Sequence, residues 1–424
     1  MKRTPKFKIL HLKPFIMKRK ILNLAFSVSL SVGCLTQINA QDAQIKFFGQ
    51  PEFEYRSLSE QGIPTDWAPG LVTPSASNPA GMGLNTTTRD TSNTNFNTGK
   101  LVLFVTAQLN DRISVLSENS MYANTTATGT TLNFEIERLL LRYYLKDYFS
   151  VRVGKMFVPM GYWNNQYNLG LVLQPTIRRP LVIRNSSDGG VLQIKDVGFQ
   201  LEGDEITKLR LFYRALISNG TGFNGTNDKK VNSVAFTGQV GIEPIDGLKL
   251  LVSGNTSQIY KGQQNLNGVT LEDGRQTLIN ASIAFMNPEK KVEFIGEYYQ
   301  TTTNFDSLEN SHSHGYFGYA GYKVTNKFIP YLMYSYSQGG TKNNSDMYFI
   351  GVHGILVNVT ELVLGVRYKI SSNFVMKLEY VNSATKYTYQ KDKFTIPAAF
   401  FVNDSDKTGF EKYSSVRAQF AFVF

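Results

Sequence analysis

Read backwards from its last residue, the chain alternates. Phe424, Phe422, Phe420, Ala418 and Val416 take one set of positions, and Val423, Ala421, Gln419, Arg417 and Ser415 the other. A period of two is that of a β-strand, whose side chains point to opposite faces in turn. Leu362, Leu364, Val366, Tyr368 and Ile370 alternate in the same way with Val363, Gly365, Arg367 and Lys369. So do Phe374, Met376, Leu378 and Tyr380 with Val375, Lys377, Glu379 and Val381, and Leu209, Leu211, Tyr213, Ala215 and Ile217 with Arg210, Phe212, Arg214 and Leu216. Further segments of this kind run near 45–56, 100–109, 112–122, 132–146, 149–156, 194–203, 231–242, 247–259, 276–287, 290–301, 315–324 and 327–337. Each is long enough to cross a bilayer at a tilt, and many finish in tyrosine or phenylalanine, as interface girdles do.

The connections are lopsided. Asn110-Asp111, Lys146-Asp147, Pro244-Ile245-Asp246, Asn287-Pro288-Glu289, Thr325-Asn326 and Ser371-Ser372-Asn373 are very short, whereas 57–99, 157–193, 219–230, 260–275 and 388–410 are long and polar. Short periplasmic turns facing long external loops is the habit of outer-membrane barrels. With one more turn near 204–207 the short set numbers seven, which predicts sixteen strands when both termini lie on that side. The segment 346–357 is then folded extracellular structure or an extension of strand 14. The fold class is all-β: a single transmembrane antiparallel β-barrel of about 16 strands over 41–424, with no second domain.

Targeting comes from the other end. Lys18, Arg19 and Lys20 precede the apolar run Ile21 to Leu30, and Ile38-Asn39-Ala40 offers a small residue for cleavage. Residues 1–40 therefore read as a signal peptide, with Met17 as a second candidate start. The leader's eight basic residues and no acids take the net charge of +11 down to +3 for 41–424. That is no clustered basic face, so nucleic acid is not a partner. The single cysteine, Cys34, lies in the leader. Either the mature chain has no thiol, or Ser31-Val32-Gly33-Cys34 is a lipoprotein box and Cys34 carries lipid. An outer-membrane location and contact with membrane lipid and lipopolysaccharide follow from the barrel reading.

Candidate chemistry begins where Val151-Arg152-Val153-Gly154-Lys155-Met156-Phe157-Val158-Pro159-Met160-Gly161 leads out of a strand into the third long loop, 157–193. Tyr162-Trp163-Asn164-Asn165-Gln166 and Arg178-Arg179-Pro180-Leu181-Val182 follow. These stretches, with LGVRYKISSNFVMKLEYV and the closing YSSVRAQFAFVF, resemble the phosphate-selective porin O and P family. The resemblance implies a homotrimeric porin whose third loop folds into the lumen and narrows it, with Arg178, Arg179 and Arg184 at or near the constriction. Guanidinium groups in a narrow pore concentrate anions and exclude cations, and pair bidentately with phosphate or carboxylate. The competing expectation is that these three pair with acids on the barrel wall.

By strand phase Arg142, Arg152, Arg210, Arg214, Arg367, Lys369, Lys377 and Arg417 point inward, sharing that face with Glu118, Glu202 and Glu379. The dense lysine ladders of strongly phosphate-selective members are not found here. General anion preference stands better than preference for phosphate itself. The solutes expected are small hydrophilic or anionic molecules. No cofactor or enzymatic activity is expected, since no nucleotide-binding, zinc-protease or serine-hydrolase signature occurs. His312-Ser313-His314, placed in an external loop, is a weak metal pair. His353 is weaker as a catalyst, and Asn403-Asp404-Ser405-Asp406 lacks a calcium-loop pattern. A lipase-type barrel and an adhesion or structural barrel are the competing functions.

Overall fold

The computed structural model describes residues 42–49, 51–62, 92–126, 129–167, 174–184, 190–220, 234–260, 273–306, 310–339, 355–389 and 408–424. The expected leader, Cys34, His353 and Asn403–Asp406 lie outside them. Strand segments run in chain order as β1 Asp42–Gly49, β2 Glu52–Gly62, β3 Ser92–Asn97, β4 Lys100–Asn110, β5 Ile113–Thr126 and β6 Gly129–Lys146. β7 Phe149–Phe157, β8 Lys195–Ile206, β9 Leu211–Ser218, β10 Ala235–Ile245, β11 Leu248–Ile259 and β12 Gly274–Phe285 follow. The last are β13 Val292–Phe305, β14 Ser311–Tyr322, β15 Phe328–Gly339, β16 Ile355–Ser371, β17 Phe374–Tyr389 and β18 Thr408–Val423.

These eighteen segments form sixteen wall strands, because two strands are interrupted. β1 and β2 lie in line around Pro51, which has no N–H to give the ladder. Both pair with β18, through Phe48↔Val423 and Glu52↔Gln419. On their other side Gly49 faces Leu101 of β4 and Glu52 faces Asn97 of β3, so β3 and β4 are also one strand. All neighbours are antiparallel, and the pairing of the first strand with β18 closes the barrel. Closure pairs every wall strand on both sides, which a membrane barrel requires. Both ends of the barrel chain lie together: Phe47 and Phe424 exchange backbone hydrogen bonds of 2.9 and 3.0 Å, and their rings stack at 5.5 Å.

The wall's two faces differ as the alternation requires. Val252, Ile279, Leu364 and Leu378 are about half exposed on the outside, while Ser253, Asn280, Val363 and Glu379 beside them are buried within. An apolar belt of this extent suits hydrocarbon and would be a liability in water.

Three details depart from the sequence reading and one agrees with it. β2 reaches Gly62 and β3 starts at Ser92, so 57–99 is not loop throughout. Ile355–Val357 belong to β16, in keeping with the extension, and 346–354 lie outside the described residues. His312 and His314 stand in β14, not in an external loop. The turn placed near 204–207 is Thr207–Arg210, where Thr207 and Arg210 take left-handed φ of 72° and 47°.

Candidate channel lumen

The loop after β7 turns into the barrel. Val158 N–H donates to Ile194 O at 3.0 Å, so the loop leaves and returns at one point. The Asn164 amide staples this neck by donating to both Val158 O and Ile194 O, at 2.8 and 3.2 Å. Its tip crosses to the far wall because Glu297 of β13 waits there. Tyr162 N–H and Trp163 N–H donate to the Glu297 carboxylate at 3.2 and 2.6 Å, alongside Tyr299 Oη at 2.6 Å and Ser282 Oγ at 3.1 Å. A carboxylate receiving backbone donors out of solvent contributes about 1.5–3 kcal/mol per bond. Trp163, fully buried, meets Phe317 and Tyr319 edge-on at 5.5 and 6.2 Å. Gly161 makes the approach possible: its φ is +70°, and a Cβ there would lie 2.1 Å from Glu297 Oε2.

The second half of the loop spans β16 to β18 and β2. Thr176 O accepts from Lys377 Nζ at 3.1 Å, and Ile177 N–H donates to Glu379 at 2.7 Å. Arg178 pairs with Glu54 at 2.6 Å, a carboxylate also held by Arg417 Nε at 2.9 Å. Arg184 pairs with Glu361, and Arg179 donates to Asn164 Oδ1 at 2.5 Å. Burial lowers the Arg179 guanidinium to about 10, which leaves it charged at neutral pH. Two of the three loop arginines thus meet wall acids, and the third braces the loop itself.

The opposite wall holds the denser charge. Cross-strand register brings Arg142, Arg152, Glu202 and Arg214 side by side on β6 to β9. Fully buried Glu202 is flanked by Arg142 at 3.0 Å, Arg152 at 2.9 Å and Arg214 at 3.9 Å, with Ser150 Oγ and Gln200 Nε2 also donating. Arg214 pairs in addition with Asp204 at 2.9 Å, and Arg138 with Glu118 at 2.5 Å. Arg138, Arg142 and Arg152 face Gln44, Thr106, Gln108 and Ser114 across a cavity of about 420 Å³. The sequence reading passed over Arg138, although it shares phase with Arg142. It also missed Glu54 and Glu297, whose partners are more than a hundred residues away in the chain.

The remaining candidates are placed apart. Arg367 donates twice to Glu293, at 2.9 and 2.7 Å, with Lys323 at 3.6 Å. Arg210 does not point into the lumen: it belongs to the turn before β9 and ties that turn to the next through Asp246, with Glu243 at 3.5 Å. The strand read from Leu209 begins only at Leu211. Arg367→Ala is expected to leave Glu293 with Lys323 as its near cation and Tyr319 Oη donating at 3.0 Å, and to cost about 3–5 kcal/mol, the range for breaking a buried pair. Urea unfolding in detergent checks this.

No family profile matches the chain, and no protein of curated function matches it in sequence. Solved structures do match. An anion-selective porin from Comamonas acidovorans aligns with TM-score 0.54 and 13% identity over 90% of this chain and 100% of its own. OmpF of Salmonella typhi, solved with daunomycin, gives 0.54 and 11% over 92% and 99%. A trimer form of OmpT, an outer membrane protein of Vibrio cholerae, gives 0.53 and 11% over 91% and 100%. At such identities the likeness is one of fold, and the fold is the closed sixteen-stranded barrel of outer-membrane porins.

Proposed function

We propose that the chain is an outer-membrane porin that admits small hydrophilic solutes and prefers anions, with 157–193 as its constriction loop and the leader 1–40 removed on export. One observation carries the preference: acids facing the lumen are repeatedly shared by more than one cation. Glu202 has three arginines, Glu54 has Arg178 and Arg417, and Glu293 has Arg367 and Lys323. Each such group keeps an excess of positive charge beside the path a solute takes, which draws anions in and repels cations. The loop packs against β10 to β18 and reaches β2 through Glu54, so the path runs on the side of Arg138, Arg142 and Arg152. The fold shared with an anion-selective porin supports this reading, and the trimer form among the similar structures supports assembly as a homotrimer. Phosphate is one candidate solute among small anions.

Swelling of liposomes carrying the refolded protein tests the reading. Small sugars and small carboxylates should enter, carboxylates faster than ammonium-bearing solutes of equal size. No swelling from a folded barrel would move the function to adhesion or to surface enzymology. Arg178→Ala with Arg179→Ala should lower anion preference less than loss of the wall arginines does, because Glu54 keeps Arg417. Reversal potentials of the two variants in one salt gradient make the comparison.

A further inference from the structure

Two groups of residues on the outer face of β4 to β6 are unsuited to the surroundings a lone barrel would give them. The first is polar where hydrocarbon is due. Ser117 and Asn119 share the outward face of β5 with Val105 and Leu103 of β4 and with the exposed Leu139 and Ile136 of β6. Counted from the short-turn end, Ser117 is the fifth residue of its strand and Asn119 the seventh. The same places on β11 hold Val252 and Gly254, and on β17 Leu378 and Tyr380. Asn119 Nδ2 donates to Ser117 Oγ at 2.9 Å. Among the described residues that is the one hydrogen bond of its side chain, so a carbonyl and an N–H would face lipid, where unsatisfied polar groups cost several kcal/mol.

The second group is apolar where water is due. Phe134 and Leu132, 63% and 79% exposed, continue the same outward column above Asn119. They are the thirteenth and fifteenth residues of β6 from its short-turn end. At comparable height the outward residues elsewhere are Gln258, Arg275 and Asn304, as a wet rim requires. β7 pairs with β6 only as far as Leu139↔Lys155, so the strand above that point pairs with β5 alone, with Lys155 Nζ donating to Ile136 O at 2.6 Å, and offers an open edge. An amide in the lipid zone and large apolar groups above it are both explained if protein covers them.

We infer that this face is where a second copy of the chain docks. This rests on the homotrimer in the porin reading and names its contact surface. The column Ser117, Asn119, Phe134 and Leu132 carries no charge, so like copies meet without repulsion. A primary amide is also self-complementary, offering a donor and an acceptor to an identical or hydroxyl-bearing neighbour. Interfaces of this composition, apolar and aromatic around a few polar groups, are those of stable oligomers.

The test uses the refolded chain 41–424, which contains no cysteine. Asn119→Cys and Phe134→Cys are treated with a short bismaleimide, beside Gly318→Cys on the far outer wall in β14. Covalent multimers from the first two and monomer from the third are expected. Leu132→Asp with Phe134→Asp, both above the lipid zone, should reduce the native mass to one chain while the barrel stays folded. Multimers only from Gly318→Cys, or an unchanged native mass in the double variant, would overturn the assignment. Conductance on the same samples separates the two readings. Conducting single chains sink the interface alone, and silent multimers joined through this face sink the porin alone.

Discussion

Arg142→Ala with Arg152→Ala is expected to abolish the proposed anion preference and to tip the channel towards cations. The pair leaves Glu202 with Arg214 at 3.9 Å, itself engaged by Asp204 at 2.9 Å, so a local excess of positive charge becomes an excess of negative charge. A unit charge about 4 Å from a passing ion is worth about 1 kcal/mol in water, roughly fivefold in local ion concentration, so two together give roughly twenty-five-fold. Glu202 then sits buried with one distant cation, and destabilisation of a few kcal/mol should accompany the change. Adding Glu202→Gln removes that charge. The triple variant should regain stability and approach zero selectivity, where the double variant leans towards cations. Reversal potentials across a potassium chloride gradient and urea midpoints distinguish the three proteins.

Gly161→Val should raise conductance. A Cβ at this residue would stand 2.0 Å from Tyr299 Oη and 2.1 Å from Glu297 Oε2, and a β-branched residue at φ +70° adds about 1–3 kcal/mol of backbone strain. The Tyr162 and Trp163 N–H groups then lose Glu297, the tip leaves the wall of β11 to β14, and the constriction widens. Barrel unfolding should shift by no more than the loop's own contacts contribute, because the ladder bonds closing the sheet do not involve the loop. Glu297→Gln is the gentler companion: it keeps one acceptor oxygen for these donors but loses the charge that strengthens their bonds, and should give an intermediate conductance. A fall in conductance for Gly161→Val would mean that the loop does not narrow the pore.

The barrel was legible because its period is short and repeated. One-face phenylalanines at the C-terminus and Leu362 to Ile370 need no knowledge of partners to be read as strand. Segments polar on both faces were harder. β3, Ser92-Asn93-Thr94-Asn95-Phe96-Asn97, holds one large apolar residue and passed for loop, and His312 and His314 alternate only with serine and glycine. Arg210 was misplaced because the turn there takes left-handed φ at threonine and arginine, residues that do not announce it. Strand phase found Arg142, Arg152 and Arg214, yet their convergence on Glu202 depends on register between four strands. The docking of Trp163 on Glu297, 134 residues away, has no local signature at all.

A porin of this kind requires a water-filled, anion-preferring path between the loop and the arginine wall. The most direct test is single-channel recording of the refolded chain 41–424 in a planar bilayer under a salt gradient. Stepwise conductance with a reversal potential of anion-preferring sign is the predicted result. A folded barrel that gives no steps, or steps with a cation-preferring reversal potential, would contradict it.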